Sequence, residues 1–497
     1  MSAHPAYDRL AAECARIHRL AHLQSIAHWD QAANMPPKGM AARAAAMAEM
    51  ATLLHRLATD PAWGERLGAA EQEPLDDWQR ANLREMRRHW ERATALPESL
   101  VERFSLAAAR CEHAWRTQRP ANDWAGFLDN FRPLLALARE EAERLSQRFG
   151  VSRYDALLDR FEPGMTAAEV DRIFGAVRAW LPGLVARIRE RQSHDTVIAP
   201  RGPFPVEAQR RLCERAMRLL GFDFEAGRLD TSAHPFSGGV PEDVRLTTRY
   251  REDEFLQSLM GTIHETGHGR YEQMRPREWI EQPVSQARSM GVHESQSLAF
   301  EMQLGRSRPF VGLLAPLVVE AFGAQDAFDP DNLWRLFTRV EPGPIRVDAD
   351  EATYPAHVIL RYEIERALVE GTIEADDIPA LWDEKMAALL GLDTRGNFRD
   401  GALQDVHWAE GLFGYFPCYT LGALYAAQWF AAIRRALPDL DARIAAGDLE
   451  PLFGWLREHV WRAASRWPTA ELVQRASGEP LDPGHFRAHL EARYLAG

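Results

Sequence analysis

Apolar residues recur three and four positions apart along most of this chain, with charged residues between them. That spacing predicts amphipathic helices. The pattern gives helices over 6–28, 38–58, 75–94, 97–118, 124–149, 167–193, 206–220 and 253–274. It continues over 286–305, 310–322, 330–339, 351–370, 377–389, 420–436, 450–465 and 483–495. Two-residue alternation is rare, and predicts one strand over 241–250, PEDVRLTTRY, and a shorter one over 343–348, GPIRVD. The breaks at 194–205 and 226–241 read as loops rather than domain boundaries. No internal repeat or low-complexity linker interrupts the series. The expectation is an all-α (predominantly helical) fold with a small β element, built as a single domain over 1–497, with two lobes around a groove as one arrangement of it.

Composition narrows the function classes. Hydrophobic residues make up 46% and charged residues 26%, as in a soluble globular protein. A formal net charge of -13 argues against a nucleic-acid partner and against docking on an anionic membrane, both of which call for basic patches. Cys14, Cys111, Cys213 and Cys418 lie far apart with no C-x-x-C pair, which points to a reducing, cytoplasmic setting. The first residues lack the layout of a signal peptide, and no stretch has the uninterrupted apolar run of a membrane-spanning helix.

Residues 264–268 read HETGH. On a helix, positions four apart share a face, so His264 and His268 can present two imidazoles to one ion. Glu265 sits beside the first of them, where it can hold and deprotonate the attacking water. Phe255, Leu256, Leu259, Met260 and Ile263 make the opposite side of this helix core. Gly267 either leaves room near the ion or serves packing. A catalytic zinc takes three protein ligands and keeps one position open. The metzincin offsets are occupied by Tyr271 and Met274 rather than glycine and histidine, which excludes that class. The remaining common choice is a glutamate on a following helix. Glu294, in HESQS and 26 residues after His268, is the expected third ligand. Zinc suits this donor set, and cobalt or manganese would also fit.

Beyond this motif the chain resembles the M32 metallocarboxypeptidases, typified by carboxypeptidase Taq. The family's elements stand in order: His234, Pro235 and Phe236; Asp243, Arg245 and Thr247; His264 to His268; His293 to Gln296; Ile345, Arg346, Ala349 and Asp350; and Gly401, Gln404, Asp405, His407 and Trp408. WDQAANMPP (29–37) and YDALLDRFEPGMT (154–166) extend the resemblance over nearly the whole chain. One departure is Leu298, where some members carry a basic residue. The resemblance implies a helical, gluzincin-like, saddle-shaped fold with a deep groove, a divalent ion and a homodimer. It also implies removal of single C-terminal residues from peptides, with broad specificity and poor cleavage at proline.

Peptide hydrolysis needs donors for a developing oxyanion as well as a base. His407, Tyr415 and Tyr419, in the donor-rich stretch 404–419, are the candidates. A free C-terminal carboxylate calls for a planar, bidentate cation. Arg346 is the residue the resemblance offers, with a structural pair to Asp348 or Asp350 as its alternative role. His234 is a candidate for the substrate subsites, and Asp243 with Arg245 for a structural pair beside them. An aminopeptidase or endopeptidase on a related scaffold is the competing enzyme reading, though no G-x-M-E-N element stands upstream. A catalytically dead binding module is the other alternative, and the intact Glu265 speaks against it.

Overall fold

The structure, a computed structural model, describes residues 4–232 and 236–495; His234 lies outside them. Helices dominate and follow the hydrophobic periodicity closely. Trp124–Phe149, Ala167–Gln192 and Leu256–Met274 sit within three residues of their expected bounds. Four short helices have no counterpart in the periodicity: Ala62–Ala70, Arg153–Leu158, Leu440–Ala445 and Thr469–Ser477. None exceeds 9 residues, too few turns for a repeat to register.

Three expectations need correction. The stretch read as a loop over 226–241 contains two strands, β1 (Gly227–Thr231) and β2 (Ser237–Val240). They flank β3 (Asp243–Thr248), the strand that alternation did predict, in the order β1-β3-β2. β1 runs parallel and β2 antiparallel to β3. Both flanking strands are held by backbone pairing, and β2, SGGV, carries too little side chain to alternate. The strand expected over 343–348 is instead a loop ending in one 3₁₀ turn, Arg346–Asp348. Pro344 has no N–H for a ladder there, and the amide of Arg346 donates to the side chain of Gln404. The helix expected over 286–305 begins only at Met290, where Ser289 caps it by accepting from the Val292 amide. Its last part, Ala299–Gly305, winds as a π-helix.

A continuous apolar core runs from Cys111 to Tyr494, while the N-terminal helices keep a separate cluster around Tyr7, Leu10, Trp63 and Leu67. The helix Leu256–Met274 packs against β2 and β3 and against Met290–Leu298. Met290–Leu298 in turn packs on Pro417–Ala436. These layers bring the HETGH residues, the HES residues and the 404–419 segment together. All four cysteines are buried and none is in a disulfide. Among the described residues, no helix is long and apolar enough to cross a membrane.

Candidate active site

His264 and His268 lie one turn apart on the helix Leu256–Met274, whose apolar face is fixed in the core by Leu259 and Ile263. Glu294 approaches from the neighbouring helix. The two helices can cross this closely because of Gly267: a Cβ there would stand 2.3 Å from the carbonyl oxygen of Gln296 and 2.6 Å from Cα of Ser297. Packing, rather than room for an ion, is therefore what this glycine serves. Behind Glu294 the helix Pro417–Ala436 gives way in the same manner, since a Cβ on Gly422 would reach 2.8 Å from Glu294 Cγ.

One ligand atom from each of His264, His268 and Glu294 lies within 4.8 Å of the others. Glu294 Oε2 is 3.4 Å from His268 Nε2 and 3.9 Å from His264 Nε2. Ligands about 2.0–2.2 Å from one tetrahedral ion stand about 3.3–3.6 Å apart, so this set fits such an ion with little adjustment. The outward ring nitrogens are also committed. His264 Nδ1 is 2.9 Å from Glu301 Oε2, and Glu301 pairs with Arg306 at 2.6 Å. His268 Nδ1 is 2.7 Å from His293 Nδ1, and His293 Nε2 is 2.9 Å from Glu272 Oε1. Two nitrogens that close share one proton. With His268 Nε2 left to ligate, that proton sits on His268 Nδ1, and His293 passes the polarity on by donating to Glu272. Both Nε2 atoms thus face the same point.

The charges suit a cation there. Burial works against ionising Glu301 and Glu272, yet Arg306 with His264, and Arg275 with His293, outweigh it and hold both carboxyls near 2. Burial likewise disfavours charge on His264, and Glu294 and Glu301 overcome it and push this imidazole up to about 10. At His268 burial wins and pushes the imidazole down to about 4, which leaves it neutral and able to ligate, with the Glu294 carboxylate 3.4 Å away. Glu265 is pushed up to about 7, chiefly by burial, and its Oε2 is buried without a hydrogen-bond partner among the described residues.

The donor-rich segment gathers beside this centre. His407 Nε2 is 2.9 Å from the Tyr419 hydroxyl, and the Tyr415 and Tyr419 rings stand 5.3 Å apart in a T-shaped contact. Burial, with a further contribution from the Glu294 charge, raises the phenols of Tyr415 and Tyr419. His407 is pushed down to about 3 by burial and by Arg346, so it works as a neutral donor or acceptor. Arg346 lies over the Tyr419 ring at 4.6 Å. Its partner is Asp405, at 2.8 Å, rather than Asp348 or Asp350. Asp350 accepts instead from the backbone of Ala352 and Thr353, and Asp348 from Gln257. Asp405 also holds Arg361 at 2.6 Å, so two guanidinium groups face one carboxylate and one positive charge is left over. Arg245 and Asp243 form the expected pair, with Arg245 Nη2 2.9 Å from Asp243 Oδ2.

The groups that orient these side chains have no signature in the sequence. Glu301, Glu272 and Arg361 carried no motif signal. Neither did Tyr354, whose hydroxyl accepts from Arg346 Nη1 at 2.9 Å. Glu301 and Glu272 are spaced from their histidines by tertiary packing, and only a search for carboxylates behind each ligand could have suggested them.

The pattern of the family described as carboxypeptidase Taq (M32) metallopeptidase matches residues 9–494. The chain belongs to this family. It is similar to thermostable carboxypeptidase 1 of Thermus thermophilus, 43% identical over 492 residues and 96% of each chain. Carboxypeptidase 1 of Bacillus subtilis is 33% identical over 96% of each chain. Among solved structures, metallocarboxypeptidase 1 of Trypanosoma cruzi superposes with a TM-score of 0.97 at 48% identity, covering 99% of this chain and 100% of the other. As an M32 member this protein is a metallocarboxypeptidase: it acts on peptides and depends on a divalent metal.

Proposed function

We propose that the enzyme removes single residues from the C-terminus of peptides, with broad side-chain tolerance and poor cleavage at a terminal proline. The observation that carries the reading is the convergence of His264 Nε2, His268 Nε2 and Glu294 Oε2 on one point, with the unpartnered Glu265 Oε2 buried beside it. Zinc is the ion we assign to those three ligands, with cobalt or manganese as substitutes. When bound, such an ion polarises the scissile carbonyl and acidifies water.

The chain's own residues then divide the remaining work. Glu265, held near neutrality by burial, accepts the water's proton and delivers it to the leaving amine. Tyr419 and Tyr415 supply donors for the developing oxyanion, and His407 fixes the direction of the Tyr419 hydroxyl. Arg346 binds the terminal carboxylate, supported by the excess positive charge of the Arg346–Asp405–Arg361 group. His234 is assigned to the subsites on the family resemblance alone. So is the homodimer, which sedimentation analysis tests directly. The four cysteines, none in a disulfide, support a cytoplasmic setting.

The deciding experiment is digestion of a peptide of known sequence followed by mass spectrometry. A ladder shortened one residue at a time from the C-terminus, stopping before proline and abolished by chelation, is the expected result. Internal cuts would put an endopeptidase in its place.

A further inference from the structure

At the far end of the ligand helix, past His268, lies a cavity of about 550 Å³. None of the metal ligands, nor Glu265, Arg346 or Tyr419, lines it. Five arginines do: Arg275, Arg277, Arg462, Arg466 and Arg475. Among the described residues only two carboxylates, Glu278 and Glu458, share the lining, so guanidinium groups outnumber acids on its wall five to two. Three of the five pair with carboxylates behind the wall: Arg475 with Glu471 at 2.7 Å, Arg275 with Glu272 at 2.7 Å and Arg277 with Glu242 at 3.5 Å. Arg462 and Arg466 have no ion-pair partner among the described residues. Arg466 is instead sandwiched between Trp78 and Trp467, 4.9 and 4.6 Å from their ring centres. Those indole faces are occupied by guanidinium groups, which disfavours a stacked base and favours a compact anion.

Arg275 supplies the second observation. It is 7% exposed and gives Nη1 to Glu272 at 2.7 Å, while its Nε and Nη2 are buried with no hydrogen-bond partner among the described residues. Leaving charged donors unpaired is costly, so these nitrogens call for an acceptor. The ligand helix ends here, and its carbonyl end opposes an anion within the last turn. That is a small term against several guanidinium groups making charge-assisted bonds.

We infer that this cavity binds a multivalent oxyanion, of which a phosphate group is the fitting chemistry, and that the site is coupled to the metal centre through Arg275. The connecting groups are Arg275, Glu272, His293 and His268, in consecutive contact at 2.7, 2.9 and 2.7 Å. Arg275 Nε and Nη2 are both covered by protein, so meeting an anion turns the guanidinium outward. Turning it loosens its hold on Glu272. The released carboxylate pulls harder on the His293 Nε2 proton, His293 Nδ1 pulls harder on the His268 Nδ1 proton, and His268 Nε2 becomes the better ligand. Binding therefore tightens the metal, and by reciprocity the metal tightens binding. The coupling rests on His268 holding the ion; the anion site does not.

Calorimetric titration of inorganic phosphate into the metal-loaded full chain, at fixed ionic strength, tests the site. One saturable event is expected, weakened at least about tenfold in the double variant Arg277→Ala/Arg462→Ala, whose two side chains are exposed. Arg475→Gln, alone, is the second variant and should weaken it to a smaller degree. Equal affinity in parent and variants would assign phosphate to the metal centre or to the surface at large, and would overturn the site. Loss of metal to a chelator is then timed with and without saturating phosphate. Slower loss in the parent and no difference in the double variant is expected. Identical rates in the parent would overturn the coupling, whether or not the peptide ladder identifies a carboxypeptidase.

Discussion

Glu301→Gln separates an orienting carboxylate from a ligand. Glu301 touches no site where the ion would sit, yet its Oε2 lies 2.9 Å from His264 Nδ1 and its Oε1 2.6 Å from Arg306. The amide keeps the size and can still accept from the imidazole through its oxygen. It loses the negative charge that makes His264 Nε2 a strong donor, and turns an NH2 toward Arg306. Replacing such a partner behind a ligand typically weakens metal binding 10–100-fold, about 1.4–2.7 kcal/mol. Fold stability should suffer less than in Glu301→Ala, because the amide fills the same volume and keeps an acceptor toward His264. In Glu301→Ala a cavity opens and both His264 and the Arg306 guanidinium lose every side-chain acceptor at this position, a loss of roughly 3–5 kcal/mol in comparable buried pairs. The assay is competition with a chelator of known affinity, beside chemical unfolding of the metal-free protein. A Glu301→Gln variant that binds metal within about threefold of the parent, below the range for such partners, would refute the argument that His264 is tuned from behind.

Four further outcomes are expected. Glu265→Gln should keep fold and metal while losing at least about a hundredfold in turnover, because an amide cannot take the water's proton; near-normal turnover would remove Glu265 as the base. Glu294→Ala should lose metal and activity together, and a variant with parental metal affinity would move the third ligand elsewhere. Gly267→Ala drives a Cβ to 2.3 Å from a backbone oxygen that no rotamer change can relieve, so about 1–3 kcal/mol of stability should go with some metal affinity; unchanged unfolding would show that the helices part freely. Arg346→Ala, compared with the parent on free-acid and amidated peptides, should abolish the preference for the acid, and losses in kcat/KM that simply multiply would show that Arg346 does not hold the carboxylate.

Much of this protein is legible along one dimension. A helix of several turns writes its buried face as a repeat, so the long helices are readable within a few residues. The spacing of His264 and His268 is fixed by the turn of a single helix, and Glu265 is placed by adjacency. Those quantities need no knowledge of the rest of the molecule. β1 and β2 were not legible, because their pairing to β3 resides in backbone groups that every residue carries. Nor was the π-helical turn that carries Glu301.

Tertiary structure alone decided what stands behind each ligand. His264 meets a glutamate 37 residues away, and His268 meets a second histidine that leans on Glu272 and Arg275. Gly267 and Gly422 settle how near Glu294 can come, through contacts made by other segments. Arg346 found Asp405, in the next motif along, rather than the acids two and four residues away. The five arginines of the cavity are spread from 275 to 475 and form no motif. The physical reason is common to all of these. A side chain's local period is set by bond geometry within one element, whereas its charge partner is set by which elements pack together, and that is decided by the apolar faces of segments distant in sequence.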